Sequence, residues 1–133
     1  MNAPWQAIVA LAWAVAGPPL LLYAAVQVRR RRIPLHGALM GGAALVTIAI
    51  VLSFDFVGDP SPRRPALQAQ PVFKLHLALA LLTLAGIAWQ LLSRVVPRLR
   101  RIHRRTGPIV VACWCLALLT GIYNYVFLYC LKP

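Results

Sequence analysis

The chain has 133 residues, of which 61% are hydrophobic, with a mean hydropathy of +0.74 and a formal net charge of +12. A soluble domain of this size could not bury so much apolar surface, so a water-soluble globular fold is excluded. The basic residues fall between apolar runs, so the charge reads as membrane topology, and no nucleic-acid partner is expected.

Four apolar runs, at about 5–28, 34–57, 72–96 and 107–131, each reach the roughly 20 residues that cross a hydrocarbon core as a helix. Helices are required because lipid satisfies no backbone N–H or C=O group. The expectation is a single all-α domain over residues 1–133, an integral membrane four-helix bundle.

The first run has no basic residue ahead of its apolar stretch, and its arginines come afterwards, so it reads as a retained span and not a cleaved leader. Gly17-Pro18-Pro19 in its middle predicts a kink or local unwinding. Arg29, Arg30, Arg31 and Arg32 then form the first loop. The second run opens with "LHGALM". At 100° per residue, His36, Met40, Ala43, Thr47 and Phe54 share one face. Gly37, Gly41 and Gly42 are small enough to admit close helix approach.

The second loop holds Arg63 and Arg64, and the two acids of the chain, Asp55 and Asp59, lie at or near it. It reads as too short and plain for a lid. In the third run His76, Thr83, Gln90 and Arg94 share a face, and such a polar stripe belongs inside a bundle. Arg94, Arg98, Arg100, Arg101, Arg104 and Arg105 load the third loop, with Thr106 as the expected N-cap of the last helix and Pro108 in its first turn. Ala117 and Gly121 make a small-xxx-small pair there. By the positive-inside rule, loops one and three face the cytoplasm and both termini face outward. Trp5, Trp13, Trp89, Trp114 and the tyrosines of the last helix read in part as an interfacial belt.

This topology sets the depth of the three histidines. His36 and His103 share the cytoplasmic boundary, and His76 lies about one bilayer away. Two imidazoles on facing helices can hold one metal ion or haem, the alternative being solvated interfacial histidines. Met40, one turn from His36, and Trp114 are further cofactor-side candidates. On the outer side, His76 with Asp55 or Asp59 makes either a mixed metal site or ion pairs with Lys74, Arg63 or Arg64. Cys113, Cys115 and Cys130 read as small buried apolar residues; positions 113 and 115 point apart on a helix and share no metal. No Gly-rich phosphate loop, Ser/His/Asp arrangement or intramembrane carboxylate pair is present, which leaves hydrolysis and phosphoryl transfer without a chemical basis.

"LHGALM", "FKLHLALALLTLAG" and "IHRRTGPIVVACWCLALLTGIYNYVFLY" together resemble the CtaM/YozB-like family of small bacterial membrane proteins. That family's ending reads roughly H-R-x-(x)-[small]-x-x-x-P-I, then T-G-x-x-x-Y. His103, Arg104, Pro108, Ile109, Thr120, Gly121 and Tyr125 fill those places, with fewer residues between histidine and proline. The resemblance implies a role in maturing haem–copper cytochrome oxidases in the bacterial inner membrane, with His36, His76 and His103 as haem or copper ligands. One departure concerns the outer site: where the family has a Tyr-His pair ending helix two, this chain has Ser53-Phe54-Asp55-Phe56. The expected function is therefore oxidase assembly, docked on a respiratory membrane complex. The alternatives are a small b-type, quinone-linked electron-transfer protein or a structural accessory subunit. Homodimerisation is left open.

Overall fold

The computed structural model describes residues 3–58 and 61–131. In chain order the helices are α1 (Trp5–Arg29), α2 (Ile33–Val57), the short α3 (Arg64–Ala69), α4 (Pro71–Val95) and α5 (Arg100–Tyr125). No strand occurs among the described residues. The four long helices are each apolar and long enough to cross a bilayer, which makes this a multi-pass membrane protein. Their outward faces suit lipid: Leu45, Val95 and Phe56 are 71%, 78% and 85% exposed.

Three local departures from the sequence reading have physical causes. First, α1 runs unbroken through Pro18 and Pro19. The two prolines remove the partners of the Ala14 and Val15 carbonyls, but unwinding in lipid would strip further backbone groups of theirs. Second, α5 starts at Arg100, ahead of Thr106. The break is set by Pro97, which holds Val96 extended (φ −87°, ψ 111°) and opens a 3-10 turn over Pro97–Leu99. From Arg100 onward nothing stops the helix, so Thr106 is not a cap; its hydroxyl bonds the Ile102 carbonyl. Third, loop two folds into α3, and its Leu67 is only 2% exposed.

The α1–α2 turn closes as a Schellman motif. Arg32 N–H donates to the Gln27 carbonyl at 2.9 Å and Arg31 N–H to that of Val28 at 3.0 Å. Arg31 occupies the left-handed position (φ 59°), where glycine is usual.

Helix packing follows the order α2–α1–α5–α4. The core gathers Leu21, Ala43, Ala44, Ile87, Val111 and Trp114, with Met40 packed against it. Two indoles, Trp13 and Trp114, donate to the single hydroxyl of Thr47 at 3.0 and 3.1 Å, joining α1, α2 and α5. Neither of these tryptophans therefore belongs to an interfacial belt. α4 and α5 meet tightly at Gly86, where a Cβ would lie 2.8 Å from Val110 Cγ2. Gly41 and Gly42, read as packing glycines, have nothing within 4 Å of where a Cβ would be. α2 and α4 do not pack along their lengths, and a cleft of about 360 Å³ lies between them.

A candidate ligand site at the arginine-rich end

The shared face on α4 turns inward as the stripe requires. Gln90 Nε2 donates to Thr106 Oγ1 of α5 at 2.9 Å, Thr83 is 1% exposed, and Arg94 reaches across to α2. The Arg94 guanidinium lies where a Cβ on Gly37 would be, 2.6 Å from Nη1, so glycine at 37 makes room for that cation. Gly37 adjoins His36. Arg94 thereby bridges the open side of the bundle at the end where loops one and three carry their arginines.

His36 sits in the first turn of α2, and its Nδ1 lies 2.8 Å from the Ala24 carbonyl of α1. A carbonyl only accepts, so Nδ1 donates, and Nε2 is the ring nitrogen left for a ligand. His103, in the first turns of α5, repeats the arrangement. Its Nδ1 is 3.2 Å from the Gln90 carbonyl and 3.1 Å from Ser93 Oγ of α4. Ser93 Oγ in turn donates to the Gln90 carbonyl at 3.1 Å. A ligating histidine is held in this way by a backbone carbonyl on the nitrogen away from the metal.

The turn carrying His103 lies among arginines ahead of the apolar run, outside the hydrocarbon. Partial burial holds the His103 imidazole below its ordinary value, opposed by the hydrogen bond to Gln90 and aided by the charges of His36 and Arg94. His36 and Arg94 thus both bear on the His103 imidazole electrostatically. Two buried acceptors, Gln27 Oε1 of α1 and Gln90 Oε1, stand at this end without a partner among the described residues.

These features fit haem better than a bare cation. The two Nε2 atoms could ligate an iron, whereas Arg94 repels a free metal ion and attracts a ligand bearing carboxylates. Trp114 stands apart from the pair. Met40 fills the core, and Trp114 Nε1 is spent on Thr47 about 16 Å along α5 from His103, at 1.5 Å per residue.

At the opposite end, His76 Nδ1 contacts the Ala117 carbonyl and Thr120 Oγ1 of α5, both at 3.0 Å. Asp55 lines the same cleft as His76, but no cluster of three metal-ligating side chains occurs among the described residues. Asp59 lies outside them. The Arg63 guanidinium does not seek a carboxylate; it caps the free carbonyls of Phe127 (3.2 Å) and Leu131 where α5 ends in a π turn. Cys113 and Cys115 are half-buried and Cys130 is exposed, which corrects the reading of all three as buried.

The carbonyl clamp on each histidine, the Thr47 hub and the α2–α4 cleft are absent from the sequence reading. The spacing of polar residues marks which helix face is interior, but not which carbonyl a ring will meet. Comparisons with family models, curated proteins and solved structures returned no match.

Proposed function

We propose that this protein is a bacterial inner-membrane factor that holds haem at its arginine-rich end through His36 and His103 and assists maturation of a respiratory haem–copper oxidase. The observation carrying the ligand assignment is the matched pair of carbonyl-held imidazoles, from α2 and α5, at one end of the bundle beside Arg94. In this reading that end faces the cytoplasm and both termini face outward, as the arginine distribution favours. His36 and His103 would hold the haem, which would supply the iron centre. Arg94 would pair with a carboxylate of that group, and the unpartnered acceptors of Gln27 and Gln90 would be available to its donors. The oxidase connection rests on the resemblance of the last helix to the CtaM/YozB-like pattern.

The test is to purify the protein from haem-sufficient cells and record its visible spectrum alongside copper content. A Soret band in the wild type that disappears in His36→Ala/His103→Ala supports the reading. Neither haem nor copper in the wild type rejects the ligand assignment. Unchanged oxidase activity in cells carrying the double variant rejects the maturation role.

A further inference from the structure

The cleft between α2 and α4 is separate from the histidine pair and lies toward the opposite end of the bundle. Its back wall is α1 and α5, and its deep end is the Thr47 hub with Trp13 and Trp114. Its outer rim carries Asp55, Arg64, Tyr125 and Tyr129, with Leu67 of α3 beside them. Because α2 and α4 do not pack along their lengths, the cleft opens sideways toward lipid as well as toward its rim. A water-soluble ligand would have to desolvate in this apolar slot, whereas a lipid-soluble one arrives already desolvated.

Three polar groups in the walls make no hydrogen bond among the described residues. Thr83 Oγ1 and Asn124 Oδ1 are buried without a hydrogen bond among the described residues, and their residues are 1% and 9% exposed. His76, which also lines the cleft, donates from Nδ1 to the Ala117 carbonyl, and its Nε2 makes no hydrogen bond among the described residues. A buried acceptor left unpaired costs about 1–3 kcal/mol, so such groups are normally met by a ligand or water. His76 Nε2 and Asn124 Oδ1 both call for O–H or N–H donors, and Thr83 takes either role. Aromatic side chains, Trp13, Phe54, Phe73, Trp114 and Tyr125, surround them.

We infer that this cleft binds a quinol: a dihydroxy aromatic ring whose hydroxyls donate to His76 Nε2 and Asn124 Oδ1 and whose apolar tail leaves between α2 and α4. A volume of about 360 Å³ accommodates one such ring and the start of its chain, at the small end of the range for ligand sites. The oxidised quinone has only acceptors to offer and leaves both wall acceptors unpaired. A simple isoprenoid alcohol satisfies one of them. The site therefore discriminates by redox state and by the number of hydroxyls.

The experiment is scintillation-proximity binding of a tritiated benzoquinol with a decyl tail to the full-length protein in detergent, kept anaerobic. Unlabelled decyl quinone and geraniol serve as competitors. The quinol binds saturably, and both competitors displace it at least tenfold less well, each lost hydrogen bond being worth about tenfold. Thr83→Val/Asn124→Leu weakens binding tenfold or more, while His36→Ala/His103→Ala leaves it unchanged, so this inference stands or falls apart from the haem reading. Quinone competing as well as quinol overturns the assignment on the wild type alone, without reliance on a variant that must fold. Geraniol competing equally overturns the ring, and no saturable binding overturns the site.

Discussion

Replacing Thr47 with valine keeps the shape of the side chain and removes the one hydroxyl that receives both indole N–H groups. Trp114 is 3% exposed, so its donor has no water to turn to, and leaving it unpaired costs about 1–3 kcal/mol. Trp13 is only partly buried, and its bond is valued nearer the roughly 0.6 kcal/mol average for interhelical hydrogen bonds in membranes. The sum is about 1.6–3.6 kcal/mol, from a residue that ties α2 to both α1 and α5. Unfolding by SDS titration in mixed micelles, followed by tryptophan fluorescence and near-UV circular dichroism, measures it. Thr47→Ser keeps the hydroxyl and loses one methyl, worth about 0.8 kcal/mol. Serine losing as much as valine, or valine losing less than about 0.5 kcal/mol, refutes the hub.

Other expectations follow from single contacts. Gly86→Val drives a branched side chain into Val110 and lowers stability by about 1–3 kcal/mol in the same SDS titration, without altering ligand spectra. Arg31→Gly relieves the left-handed strain at the α1–α2 turn and raises stability by about 1 kcal/mol, with Arg31→Ala giving no such gain. The His103 imidazole has a folded value below the unfolded 6.5, so the unfolded state takes the proton first as pH falls. Its share of stability is therefore complete above pH 6.5 and is lost below it, toward the folded value. His103→Gln flattens that acid limb in a pH series of unfolding midpoints.

Much of the fold was legible because lipid leaves few alternatives. The spans at 5–28, 34–57 and 72–96 lie within one residue of α1, α2 and α4 at each end, since hydropathy alone marks them. The start of the last helix was misplaced because a polar, arginine-rich stretch carries no hydropathy signal; the break comes from Pro97, not from a cap at Thr106. The interior stripe His76–Thr83–Gln90–Arg94 was readable from its spacing. Its partners were not, because they depend on how α4 and α5 slide past each other, which Gly86 and Val110 set through shape. Short loops predict that α2 and α4 are close neighbours. They do not pack along their lengths, and the loop between them folds into α3, whose six residues with two flanking prolines gave no periodicity from which to foresee it.

The central claim is that His36 and His103 serve one ligand together, and a haemin titration of the detergent-purified protein tests it directly. One haem per chain with a low-spin spectrum is predicted, and His36→Ala, His103→Ala and the double variant should each lose that spectrum to the same extent, because removing either ligand leaves the other without a partner. Single-variant losses that add independently in the double variant, or a low-spin haem that survives removal of both imidazoles, would contradict it.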